Sequence, residues 1–321
     1  MNNFKEIEQL FQTGGLKPNK LLGQNFLVDK KILEKILAAA DLSKNDTVLE
    51  VGPGLGILTA ALAERAGYIM TVEKDKRLTE ILKEKFKNTK NLEIIQGDVM
   101  KLSHLLTPSP PVGKGRLSGD GPEISTPYKL IANIPYYLTA RLIRTFLESA
   151  NPPQQMILMI QKEVAERICA KPPKMSLLAV SVQFYAIAEI CAIVPRQAFW
   201  PQPKVDSAII RITPRSQNLF PERSAEGAKS KGLPASAFDS SRQYVGTLLG
   251  NKYTSAFRMQ FFRIVKAGFS QPRKQLINNL SRGLKTERFQ ITQVLKKIGL
   301  APQQRAETLS LVDWLKLTKF L

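Results

Sequence analysis

The chain has 321 residues, with 47 Lys or Arg against 27 Asp or Glu, and its formal net charge is +20. That length accommodates two domains with real cores, and the charge favours a polyanionic partner, either nucleic acid or an anionic membrane surface. No apolar run approaches the roughly 20 residues of a membrane span, and the start MNNFKEIEQLF is not a signal peptide, so a soluble cytoplasmic protein without membrane partners is expected. Cys169 and Cys191 are too few and too far apart for a zinc cluster, and His104 is the only histidine. Chemistry is therefore expected to run without imidazole and without a metal.

Residues 1–16 read as an N-terminal extension. Lys30 to Ala40 carries Ile32, Leu33, Ile36 and Leu37 at helical spacing. Thr47 to Val51 reads as a buried strand, Leu58 to Glu64 as a helix, Tyr68 to Val72 as a strand and Leu78 to Phe86 as a helix. Leu92 to Ile95 and Lys129 to Ala132 add strands. This alternation predicts an open, mostly parallel α/β sheet. The stretch from Thr107 to Pro127, rich in proline and glycine, reads as a surface insertion, because it offers little apolar burial against the entropy of ordering.

Arg141 to Leu147 is predicted helical, Met156 to Ile160 a strand, Gln161 to Ile168 and Ser176 to Tyr185 helices, and Glu189 to Val194 a strand. Val205 to Ile212 is expected to close the sheet as a hairpin strand. The first domain thus runs over 17–214, and a second insertion or linker over 215–254. A basic helical region over 255–321 follows, with apolar stripes at Phe257, Phe261, Ile264 and Val265, at Leu276, Ile277 and Leu280, and from Phe289 to Ile298. It holds 13 Lys or Arg against 3 Asp or Glu, a density that suits an RNA-contacting surface.

Two groups of residues carry the chemical reading. Val48-Leu49-Glu50-Val51-Gly52-Pro53-Gly54-Leu55-Gly56 puts three glycines between a strand and a helix, spacing that lets backbone approach an adenosine-bearing ligand but lacks the full dinucleotide fingerprint. Glu73 ends the next strand, where a carboxylate can accept both ribose hydroxyls, and Asp98 in Gln96-Gly97-Asp98 can accept from an adenine amine. S-adenosylmethionine, which needs no pyrophosphate site, fits better than a nicotinamide cofactor. The second group is Asn133-Ile134-Pro135-Tyr136. There Asn133 and the Ile134 carbonyl can accept from an exocyclic amine, Pro135 limits backbone freedom and Tyr136 offers a stacking face. On the residues alone, a structural glycine turn and a strand end followed by a proline turn remain open.

These blocks, with Leu22-Gly23-Gln24-Asn25-Phe26-Leu27, Gln161-Lys162-Glu163-Val164 and Phe199-Trp200-Pro201-Gln202-Pro203-Lys204-Val205-Asp206-Ser207-Ala208, closely resemble the ribosomal RNA adenine dimethyltransferase family from about Asn19 to Trp314. The resemblance implies a class I S-adenosylmethionine-dependent methyltransferase fold, Rossmann-like, with a seven-stranded sheet whose final strand is antiparallel, and a small C-terminal helical domain. It implies cofactor positions at Asn25, Leu27, Gly52, Gly54, Glu73, Asp98 and Asn133, an adenine-amine site from Asn133 through Tyr136, and Phe199 on the other side of a flipped base. The implied reaction is N6,N6-dimethylation of two adjacent adenosines near the 3′ end of 16S rRNA, within an immature small ribosomal subunit and with no obligate protein partner. Alternatives are a large-subunit adenine dimethyltransferase of the macrolide-resistance type and an RNA-binding assembly factor. The chain departs from the family at Pro272-Arg273-Lys274, where paired arginines followed by lysine are common, and in the length of its two insertions.

Overall fold

The computed structural model describes residues 18–19, 23–101, 127–149, 151–215 and 255–321. The N-terminal extension, most of both insertions and His104 lie outside them. The described residues form two compact units, one of 18–169 with 185–214, the other of 170–184 with 215 and 255–321.

The first unit runs β1 (Phe26–Leu27), α1 (Lys30–Ala40), β2 (Thr47–Val51), α2 (Ile57–Arg65), β3 (Tyr68–Glu73), α3 (Lys76–Lys85), β4 (Leu92–Gln96), β5 (Tyr128–Asn133), α4 (Thr139–Leu147), β6 (Gln155–Gln161) and α5 (Lys162–Ile168). The helix α6 (Leu177–Tyr185) follows and contributes 177–184 to the second unit. The chain then returns with β7 (Ala186–Val194), β8 (Phe199–Trp200) and β9 (Ser207–Pro214). Seven strands form one sheet in the order β4-β3-β2-β5-β6-β9-β7. Neighbours pair in parallel from β4 to β6, whereas β9 is antiparallel to both β6 and β7. Val205 to Ile212 was expected to close the sheet as a hairpin strand, and β9 does pair antiparallel with β7, the strand before it in the sheet's chain order, lying between β6 and β7. Its residues Ala208, Ile209, Ile210 and Ile212 are buried on both faces, whereas β7, with Glu189, Ile190 and Cys191 exposed, takes the edge.

The parallel strands are nearly continuous apolar runs, as burial on both faces requires. On one side, Ile32, Ile36 and Leu37 of α1 and Leu58 and Leu62 of α2 pack against Val48, Ile69, Ile131, Ile157 and Ile209. Asp29 caps the start of α1 by accepting from the backbone N–H groups of Lys31 and Ile32. At the other end of that helix the Lys129 ammonium donates to the carbonyls of Ala40 (3.1 Å) and Asp41 (2.7 Å) and to Asp46 (3.2 Å). A cation on β5 thus satisfies the negative end of α1 and ties that helix to β5.

The second unit consists of residues 170–184, including most of α6, with α7 (Ser255–Gly268), α8 (Leu276–Leu284), α9 (Arg288–Lys297) and α10 (Leu311–Phe320). Chain order alone would attach 170–184 to the sheet. It belongs with the helices because Phe184 stacks on Phe261 at 4.3 Å between ring centroids and meets Phe262 at 5.3 Å, while the Met175 N–H donates to the Glu307 carbonyl. Trp314 packs so closely on Gly268 that a Cβ there would lie 2.3 Å from the indole. Of the third expected stripe, Ile291 and Leu295 are buried four residues apart, but Phe289 is 73% exposed, since two residues from Ile291 lies far round the helix. Phe184→Ala removes the ring at the centre of this cluster, and a loss of about 3–5 kcal/mol in unfolding free energy by urea titration is the expected result.

Candidate active site

The shared register of β2, β3, β4 and β5 brings their C-terminal ends to one edge, the position where open α/β sheets bind ligands. Gly52, Gly54 and Gly56 follow β2 with φ of 71°, 59° and 76°, a left-handed conformation that other residues adopt only at a cost. A Cβ on Gly54 would lie 3.1 Å from the Phe26 ring, so the turn packs closely against that ring. The Gly54 N–H donates to Glu73 Oε2 at 3.1 Å, and the Asp75 N–H to Glu73 Oε1 at 2.8 Å. Each Glu73 oxygen keeps lone-pair capacity for a further donor such as a hydroxyl. Burial pushes the Glu73 carboxyl above its ordinary value, partly offset by the backbone N–H groups of Asp75, Gly54 and Lys74.

Asp98 behaves differently one strand further out. Burial works to raise its carboxyl, but the Lys74 ammonium at 2.9 Å and the Met100 N–H outweigh this and hold it below the usual carboxylate range. Asn133, at the end of β5, donates its Nδ2–H to the Asn25 carbonyl at 3.2 Å. That bond uses one of the two donors of the carboxamide and leaves its oxygen as an acceptor. Next to it, the Leu138 N–H takes the Pro135 carbonyl in a short 3-10 turn over Tyr136–Leu138.

The segment before α1 completes the enclosure through an element that no sequence pattern announces. β1 pairs antiparallel with β8, setting Leu27 opposite Phe199 and Phe26 opposite Trp200. The structure therefore gathers Asn25, Leu27, Gly52, Gly54, Glu73, Asp98, Asn133, Ile134, Pro135 and Phe199 about one cavity. The Tyr136 side chain lies outside the described residues. Phe199 is only 4% exposed and packs in the core with Leu27 and Ile209, so a base stacked on it has only the ring surface that lines the cavity. Tyr137 lines this space too, as do Lys74 and Glu50, to which no role was assigned from sequence. For Glu50 the signal was present, as a carboxylate inside the apolar run Thr47-Val48-Leu49-Glu50-Val51.

Glu50 is fully buried. Burial pushes its carboxyl up to about 7, offset in part by hydrogen bonding from Thr59 at 2.7 Å and by the nearby Thr71 hydroxyl, with Glu73 adding repulsion. Thr71, its register partner on β3, is close enough to act on it, yet neither its Oγ1 nor Glu50 Oε1 completes a hydrogen bond. Together the glycine cradle, the Glu73 oxygens and an unpaired buried carboxylate oxygen suit a nucleoside that carries a cationic tail. Among the described residues no group of three His, Cys, Asp or Glu side chains could hold a metal ion.

Because the folded Glu50 stays protonated to about pH 7 while the unfolded group ionises near 4.5, its contribution is fully present below 4.5 and is lost as pH rises to about 7. Thermal and urea unfolding of wild type and Glu50→Gln should therefore diverge over that window. Wild type is expected to lose on the order of 3 kcal/mol relative to the variant between about pH 4 and about pH 8, and parallel profiles would refute the buried protonated carboxyl.

The chain matches the family described as "Ribosomal RNA adenine dimethylase" over residues 15–228. It is 38% identical over 312 residues to a ribosomal RNA small subunit methyltransferase A of Dehalococcoides mccartyi, covering 97% of this chain and 91% of that one. Among solved structures, the 23S rRNA methyltransferase ErmE is similar at 25% identity and a TM-score of 0.64, covering 92% of this chain and 99% of that one. A dimethyladenosine transferase from Plasmodium falciparum shares the fold at 24% identity and a TM-score of 0.64, covering 91% and 95% of the two chains. With this cavity at the ends of its parallel strands, a family match spanning more than half its length and a relative this similar along nearly all of it, the chain belongs to the ribosomal RNA adenine dimethylase family.

Proposed function

We propose that the chain transfers methyl groups from S-adenosylmethionine to N6 of two adjacent adenosines near the 3′ end of 16S rRNA, on an immature small subunit in the cytoplasm. The observation that carries the chemistry is the Asn133 carboxamide, held at the end of β5 by one Nδ2–H donated to the Asn25 carbonyl. Its oxygen, with the Ile134 carbonyl, accepts from the target amine. The choice of subunit is supported by 38% identity to the small-subunit relative against 25% to the large-subunit enzyme.

Bound S-adenosylmethionine supplies an electrophilic methyl group on a sulfonium. Gly52, Gly54, Asn25 and Leu27 would hold its amino-acid part, Glu73 would accept from the ribose hydroxyls and Asp98 from the adenine amine. The N6 lone pair of the target is delocalised into its ring, so orientation matters most. Asn133 and Ile134 aim it along the line of displacement and favour the positive charge that develops on nitrogen. The target base leaves its stack to reach them, with Pro135 and Phe199 bounding its site. After transfer the nitrogen is strongly acidic and loses its proton to water, and a monomethylated amine retains one hydrogen for a second round. The basic 255–321 region supplies the cations that hold RNA phosphates, a contact that salt weakens.

Under-methylated small subunits and naked large-subunit RNA, each incubated with the protein and labelled S-adenosylmethionine, should give label only on the former, at two adjacent adenosines. Label confined to large-subunit RNA would overturn the choice of subunit. Asn133→Ala is expected to lower the rate of both methyl additions by about 100-fold or more, read as mono- and dimethyladenosine by mass spectrometry. Unchanged turnover would remove Asn133 from the acceptor role.

A further inference from the structure

Glu50 is the acidic side chain of β2, the strand that carries the glycine turn, and it is 1% exposed at the floor of the cavity. From α2 it meets the Thr59 hydroxyl, from β3 it meets Thr71 and Glu73, and its register neighbour on β5 is Ile131. None of these is a cation. The nearby Lys74 ammonium is held by Asp98, and among the described residues neither Glu50 nor Glu73 forms an ion pair. Glu50 Oε1 completes no hydrogen bond, its polar neighbour there being the Thr71 hydroxyl, and an ionised Glu50 beside a second buried carboxylate costs free energy that a cation entering the cavity would offset. Structural use of Glu50 is already met by its bond to Thr59 through the other oxygen.

We propose that Glu50 is the counter-charge by which this cavity tells the cationic methyl donor from the neutral thioether product, releasing a proton as the donor binds. The inference rests on the methyl-transfer reading above and extends it to the energetics of cofactor exchange. S-adenosylmethionine carries a sulfonium, an ammonium and a carboxylate, one net positive charge. When the methyl group leaves, the electron pair of the broken carbon–sulfur bond stays on sulfur, so S-adenosylhomocysteine carries no net charge. The donor stabilises an ionised Glu50 and the Glu50 proton goes to solvent. The product gives less reason to keep that charge buried, the carboxyl takes its proton back, and product exchanges for fresh donor. Glu50 acts here as a specificity-determining residue in the cofactor pocket, without taking part in bond making.

Titration calorimetry on the full chain tests this without any turnover, using S-adenosylmethionine and S-adenosylhomocysteine in two buffers of different ionisation enthalpy. Between about pH 6 and about pH 7.5 wild type should bind the donor several-fold more tightly as pH rises, with net proton release, and the product with little change. Glu50→Gln should weaken the donor by about tenfold while leaving the product within about twofold, and should flatten the pH dependence of their ratio, which subtracts any ionisation common to the two ligands. Equal weakening of both ligands, or no weakening, overturns the proposal. So does wild-type binding of the donor with no more proton release than the product, a measurement that stands even if the variant fails to fold. Failure of wild type to bind either ligand would instead sink the methyl-transfer reading itself.

Discussion

The common register of the parallel strands is the constraint on which the rest of this structure depends. Val51 lies opposite both Val72 and Ala132, and Glu73 opposite Gln96, so the glycine turn, the Glu73 carboxylate and the Asn133 amide emerge at one level of the sheet. Side chains alternate across a strand with a period of two, and a slip of one residue in β3 would send Glu73 to the wrong face. The register is held because Val48, Leu49, Ile69, Met70, Leu130 and Ile131 are buried at or near zero exposure and have no alternative pairing that keeps them so. The Lys129 clamp on the end of α1 adds a polar lock to the same strand. Catalytic geometry here is a by-product of core packing.

Three carboxylates at that edge show how environment divides one functional group into three. Asp98 sits beside Lys74 and is held ionised. Glu73 is buried but accepts backbone N–H groups, which moderate the rise in its proton affinity. Glu50 meets only the hydroxyls of Thr59 and Thr71 and a neighbouring negative charge, and burial pushes its carboxyl up to about 7. The order follows from the number and charge of the donors that each one meets, since burial pushes all three the same way.

Much of the first unit was legible because its signals are local. The helix Lys30–Ala40 and the strand Thr47–Val51 fall where periodicity and β-branched content put them, since propensity, burial and capping by Asp29 agree. The β1–β8 pair was not legible, because two-residue strands carry no periodicity and exist only through their pairing across the fold. Placement of 170–184 with the C-terminal helices was hidden for a similar reason. Phe184 looks like any core aromatic until Phe261 and Phe262 are seen beside it. Phe289 misled in the opposite direction, as an aromatic in an apolar stripe whose helical phase points it outward.

By itself the sequence determined the class of sheet, the strand ends that bear Gly52, Glu73, Asp98 and Asn133, and through its motifs the family to which they belong. These are properties of short segments, set by hydrophobic period and by residue chemistry, and they survive without knowledge of what packs where. Only the tertiary structure decided that β9 lies inside the sheet, that Phe199 is brought to the cavity by pairing with Leu27, and that Glu50 is left with an unpaired oxygen. Those outcomes depend on contacts between residues far apart in the chain, where burial and the count of available donors, not the identity of the side chain, set what a group can do.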